Sequence, residues 1–120
     1  MSRSSSFLKV AITIVIGIAI SCGVSAAPEV QPDATGSIDS ELTKGREIWG
    51  VHCSSCHGSS GQGGRGKKLN NGNLSTNYPD RLEIINLIQN GKGQGMPAFS
   101  SKITVEETKA VIRYVLEVLN

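Results

Sequence analysis

Residues 53 to 57 read Cys53-Ser54-Ser55-Cys56-His57. Two cysteines with two residues between them, followed at once by a histidine, fit three chemistries: a zinc site, a redox dithiol and a covalently attached haem. The neighbouring residues arbitrate. A closed zinc cage needs four ligands from Cys, His or carboxylate. His52 would have to join Cys53, Cys56 and His57, and donors so crowded along the chain cannot surround one ion. A thioredoxin-like dithiol follows a strand and opens a helix. Here the preceding residues have helical spacing and no βαβ pattern is present. A plain disulfide leaves His57 unexplained. Covalent haem accounts for all three residues, since C-x-x-C-H is the attachment signature of c-type haem. Thiols one helical turn apart reach the two vinyl groups on one porphyrin edge, and His57 then brings its imidazole to the iron.

Composition points the same way. A chain of 120 residues with 14 glycines and 4% aromatics is one small domain with little apolar bulk for a core. Domains of this kind often depend on a bound group. The formal charge of +2 argues neither for nucleic acid nor for a strongly acidic partner.

The N-terminus has the layout of a secretory signal peptide, assigned to residues 1–26. Arg3 and Lys9 precede an apolar run from Val10 to Ile20, and Val24-Ser25-Ala26 offers a cleavage site. The run is short of the ~20 residues that span a bilayer. Two alternatives keep the chain at a membrane: an uncleaved anchor that extends the run through Val24, or lipidation of Cys22. All three readings place the domain outside the cytoplasm, in the periplasm or another exported compartment. Without Arg3 and Lys9, 10 of the 12 basic residues remain, against 10 acidic ones, so the mature chain is formally neutral. Residues 27–38, APEVQPDATGSI, are polar and proline-bearing and read as a flexible linker. Residues 39–120 form the domain.

Three segments have helical character. SIDSELTKGREIWGVHC begins with candidate N-caps at Ser37 and Ser40 and places Leu42, Gly45, Ile48 and Trp49 at helical spacing. PDRLEIINLIQNG starts with Pro79 and stops at Gly91. TVEETKAVIRYVLEVL opens with Thr104 and Glu107 in capping-box spacing. No stretch alternates as a strand does. The expected class is all-α, with long loops. The glycine-rich residues 58–77 could wrap one side of a flat cofactor. A second loop, GKGQGMPAFSSK, holds Met96, the sole methionine downstream of the leader. Its place in a Gly/Pro loop, off any helix face, marks it as a candidate iron ligand. His52 is expected at the surface.

GREIWGVHCSSCHGSSGQGG resembles the first helix and haem motif of the class I monohaem cytochromes c, of the small bacterial and photosynthetic soluble type. Gly45, Trp49, Cys53, Cys56 and His57 match that pattern. GKGQGMPAF resembles the family's distal loop, and Tyr114 corresponds to the aromatic of its last helix. The resemblance runs from about Asp39 to Leu119. It implies the cytochrome c fold, three main helices around one covalent haem. Cys53 and Cys56 would form the thioethers, and His57 and Met96 would ligate the iron. Gly45 would let the first and last helices cross closely, with Trp49 and Tyr114 nearby. One departure stands out. The family often reads G-P-x-L after the motif, and this chain reads Gly66-Lys67-Lys68-Leu69. The Lys67 carbonyl can still accept the His57 ring N–H, without proline's stiffness.

The function so implied is a one-electron carrier between redox partners, not an enzyme. The alternative is a permanent cytochrome subunit of a dehydrogenase or oxidase complex. A haem sensor or peroxidase ranks below both, since it requires Met96 to leave the iron. Arg65, Lys67 and Lys68 are either a solvated loop or a positive patch for an acidic partner.

Overall fold

The computed structural model describes residues 26–120. The signal-peptide and anchor readings and Cys22 lie outside the described residues, except for Ala26 at the leader's end. The described chain is helical, and its only β pairing is one isolated bridge.

Helix α1 spans Ser40–Ile48. Its N-cap is Asp39, not Ser37 or Ser40. The Asp39 side chain accepts from the Glu41 and Leu42 amides, so a carboxylate rather than a hydroxyl satisfies the first free donors. A five-residue π-helical turn, Trp49–Cys53, comes next and leads directly into α2, Ser54–His57. Helix α3, Asn73–Asn77, is a short turn inside the stretch expected to be loop. Helix α4, Arg81–Asn90, is capped by Asp80 and ends at Gly91 with φ 79°. Helix α5, Val105–Glu117, has the full Thr104/Glu107 capping box. The three expected helices are therefore present, with a π turn in the first and a short helix added.

The molecule is organised around α5. It buries Thr108, Ala110, Val111, Ile112, Tyr114 and Val115 along one face. Helix α1 crosses it at Gly45. A Cβ at Gly45 would stand 2.8 Å from the carbonyl carbon of Ala110 and 2.8 Å from Tyr114 Cβ. Only glycine permits that approach, as the family resemblance implies. Trp49 and Tyr114 are the largest fully buried side chains. Their rings lie 6.5 Å apart in a tilted pair. Helix α4 docks on α5 through Gln89, which donates to Thr108 Oγ1 at 2.6 Å. Thr108 Oγ1 in turn donates to the Thr104 carbonyl at 2.9 Å. Thr108 is the one buried polar residue of this core and is satisfied on both sides.

The lead segment expected to be a flexible linker makes specific contacts. Tyr114 donates its hydroxyl to the Pro28 carbonyl at 2.6 Å. Arg46 Nε donates to the carbonyls of Ala27 and Pro28 at 3.1 and 3.0 Å. Ala27 and Val30 pack against the core. Farther on, Asp33 Oδ1 accepts from the Thr35 and Ser37 amides and closes a local turn.

Candidate functional site

The site starts with the π turn. A π-helical hydrogen bond spans five residues instead of four, and Ser54 N–H donates to the Trp49 carbonyl. The wider turn rotates α2 relative to α1. Trp49 stays in the core, while Cys53, Cys56 and His57 come out half-buried on the neighbouring surface. The Trp49 indole N–H donates to the Ser59 carbonyl at 2.9 Å. Its ring lies 6.1 Å from that of His57. The buried indole thus sits between Tyr114 and the candidate iron ligand and ties α5 to the site.

Both thiols are free. Burial, and next the proximity of Cys56, push the Cys53 thiol up to about 12. The Cys53 side chain packs against the hydrophobic core, and that burial is what disfavours ionisation of the unattached thiol.

The glycine-rich loop folds back onto the motif. Gly58 ends α2 with φ 82°. Gly66 N–H donates to the Cys56 carbonyl at 2.8 Å, and Gly63 N–H donates to the His57 carbonyl at 2.7 Å. These two bonds satisfy carbonyls at the end of α2 that the helix leaves free. The same loop brings the Lys67 carbonyl oxygen 2.7 Å from His57 Nδ1. A carbonyl only accepts, so this bond requires the proton on Nδ1 and leaves the Nε2 lone pair for a metal. Gly66 passes directly over the imidazole: a Cβ there would stand 2.7 Å from His57 Cε1.

Met96 sits in the loop after α4. Lys92 N–H donates to the Met96 carbonyl at 2.9 Å, and Met96 N–H donates back to the Lys92 carbonyl at 3.4 Å. The chain beyond is pinned to α4 by Phe99 N–H to the Ile88 carbonyl at 3.0 Å and Ser100 N–H to the Gln89 carbonyl at 3.1 Å. His52 is half-buried rather than on the surface, and its ring meets Phe99 edge-on at 6.0 Å. An imidazole beside a buried phenyl is a packing residue that spacing alone does not reveal.

The donor set and its surroundings fit a covalent haem. Cys53, Leu69, Tyr78, Ile85, Ile88 and Met96 pack against the core yet are only partly buried. They come from the motif, the glycine-rich loop, the approach to α4, α4 itself and the methionine loop, and they would supply apolar surface to a flat macrocycle. Among the described residues no group of three or more His, Cys, Asp or Glu is gathered to hold a metal ion. Arg65, Lys67 and Lys68 are all exposed, and no ion pair joins them to a described carboxylate.

Several contributors are not legible in sequence. The Tyr78–Lys92 contact, at 3.0 Å between Lys92 Nζ and the Tyr78 hydroxyl, joins residues 14 apart. Arg113 binds Asp39, Glu41 and Glu117 together. Neither pattern has a motif, because each depends on how loops and helices cross.

Residues 40–115 match the protein family described as cytochrome c oxidase, cbb3-type, subunit III. Cytochrome c6 of Leptolyngbya boryana is 33% identical over 79 residues, covering 64% of this chain and 92% of that protein. The cbb3-type cytochrome c oxidase subunit FixP of Azorhizobium caulinodans is 34% identical over 76 residues, 60% of this chain. Here the match spans only 25% of the relative's length. Among solved structures, cytochrome c6C from Synechococcus sp. PCC 7002 matches with a TM-score of 0.51 and 36% identity, covering 62% of this chain and 92% of that one. Cytochrome cL from Methylophaga aminisulfidivorans shares the fold with a TM-score of 0.59 at 21% identity, covering 67% of this chain and 54% of that one.

Proposed function

This chain belongs to the family of c-type cytochromes whose description is cytochrome c oxidase, cbb3-type, subunit III, and it is a haem-based electron carrier with the cytochrome c fold; we propose that it passes single electrons between redox proteins outside the cytoplasm, with His57 and Met96 as axial ligands. The covalently bound haem supplies the reversible one-electron change of its iron. Cys53 and Cys56 would hold it through thioethers. His57 would present Nε2 to the iron, because the Lys67 carbonyl accepts the hydrogen bond of the other nitrogen. Met96 would bring a thioether, which raises the potential relative to stronger donors. An iron held by both residues would keep oxygen, peroxide or an organic substrate away, and the reading is a carrier rather than an enzyme.

The single observation that carries it is the His57 Nδ1 to Lys67 carbonyl contact of 2.7 Å. It sets the tautomer that a metal-bound imidazole needs. The test is spectroscopic. The ferric holoprotein should show the near-infrared sulfur-to-iron band, and Met96→Ala should abolish it and let the ferrous form bind carbon monoxide. A parent that binds carbon monoxide rapidly would replace the carrier by a gas-binding or peroxidase site.

The partner chemistry we propose is an acidic protein surface that meets Arg65, Lys67 and Lys68. Residues 58–79 contain no Asp or Glu, so this segment is positive although the chain after the leader is formally neutral. Rates of electron exchange with such a partner should fall with ionic strength. No effect of salt would remove this surface from the reading. A second reading, a subunit held in an oxidase complex, draws on the family description and the FixP relative. Co-purification with a large membrane complex would favour it. No helix among the described residues is long and apolar enough to cross a membrane. We place the domain in the periplasm or a lumen on the strength of the leader at residues 1–26. Membrane attachment then requires that this segment be retained or that Cys22 be lipidated.

A further inference from the structure

The methionine loop is held at both ends and open in the middle. After Met96 the backbone is held to α4 at Phe99 and Ser100. Before it, Gly91 N–H donates to the Leu87 carbonyl at 2.8 Å, and a Cβ at Gly91 would stand 2.8 Å from the Met96 carbonyl oxygen. Between them, a Cβ at Gly93 or Gly95 would touch nothing within 4 Å, and this stretch has much backbone freedom to lose. Across residues 91–98 the side-chain hydrogen bond the structure shows is Lys92 Nζ to the Tyr78 hydroxyl at 3.0 Å. The same ammonium lies 5.3 Å from the Tyr78 ring centroid. Tyr78 is itself tied down, since its N–H donates to the carbonyl of buried Leu74 at 2.9 Å and its ring packs against the core. Lys92 is also the residue whose backbone pairs with Met96 in both directions. A continuous path thus runs from the core at Leu74 through Tyr78 and Lys92 to the methionine.

We infer that Tyr78 and Lys92 are positioning residues that hold the Met96 thioether in place for the iron. The inference rests on the proposed ligation by Met96. Neither side chain needs to touch the iron. Their effect is to shorten the excursions of this open stretch, so that a competing ligand finds the sixth position open less often. Because the contact lies at the surface, the expected effect is modest.

The test is imidazole titration of the ferric holoprotein, monitored through loss of the sulfur-to-iron band. Tyr78→Phe removes the acceptor and keeps the ring. Lys92→Met removes the ammonium and keeps a side chain of similar length. Each should bind imidazole roughly fivefold more tightly than the parent, the scale of one ordinary exposed hydrogen bond. Lys92→Arg should restore the parent affinity. Lys102→Met serves as the charge control: Lys102 Nζ lies 5.7 Å from the Phe99 ring centroid, and its loss should leave imidazole binding unchanged. Unchanged affinity in both Tyr78→Phe and Lys92→Met would overturn the inference, even if their melting temperatures fell. An equal effect from Lys102→Met would overturn it in favour of general electrostatics. A parent without the sulfur band would instead refute the ligation by Met96.

Discussion

The Lys67 carbonyl oxygen lies 2.7 Å from His57 Nδ1. The residue that stands where the family often has proline therefore serves the imidazole through its backbone. What the position requires is a carbonyl at the right place. Gly66 secures that place, because it passes within contact of the ring.

From this relationship the two neighbours should respond differently to mutation. Lys67→Ala keeps the carbonyl and should leave the visible spectrum and reduction potential unchanged. Gly66→Ala places a Cβ 2.7 Å from His57 Cε1. Overpacking of this kind costs about 1–3 kcal/mol, and the holoprotein should melt lower with an altered axial-ligand spectrum. A normal spectrum and melting temperature in Gly66→Ala would contradict the close approach.

At the helix crossing, Gly45→Ala should destabilise by about 1–3 kcal/mol or more. The atoms met by the new methyl include backbone of Ala110, which cannot swing aside. Gly50→Ala is the matched control, since a Cβ there meets nothing within 4 Å. Denaturant unfolding of the two variants should separate them clearly, and equal stabilities would refute the crossing geometry.

The Arg113 cluster predicts sensitivity to acid. Asp39 is held below the usual carboxylate range first by the Leu42 amide and then by Arg113. Glu117 is held there first by its hydrogen bond to Arg113. A carboxyl with a depressed folded value binds fewer protons in the native than in the unfolded chain. Its contribution is complete above the unfolded range, around pH 4, and is lost as pH falls through the folded value. Arg113→Met should thus lower the melting temperature by a few degrees at neutral pH and flatten its decline below about pH 4. An acid slope identical to the parent's would show that these carboxylates do not govern it.

Thr108→Val tests the polar link between α4 and α5. It leaves the Gln89 amide without its 2.6 Å acceptor. The cost should be about 1–3 kcal/mol by chemical denaturation. A neutral result would mean that the carbonyl of Ile103, 3.3 Å from the same nitrogen, takes over the bond.

The elements legible in the sequence share one property: their signals are local. The C-x-x-C-H motif, the Thr104/Glu107 capping box, the stop at Gly91 and the apolar face of α5 each lie within a few turns of chain. Met96 stands out because it is the sole methionine besides Met1 and sits in a Gly/Pro loop. Asp39 is not legible as the N-cap because Ser37 and Ser40 carry equally good capping side chains. The π turn is hidden because its residues have the same apolar spacing as a continuing helix.

By itself the sequence determined the chemistry, since thiol, imidazole and thioether donors are properties of residues, and it determined the helices, since their periodicity and caps act over short range. Only the tertiary structure decided how those donors are held. Contacts such as Lys92 to Tyr78 and Tyr114 to Pro28 join atoms brought together by the crossing of α1 and α5 and the return of the loops. Such contacts carry no local signature, because a carbonyl or a hydroxyl becomes a partner only when packing delivers it within bonding distance.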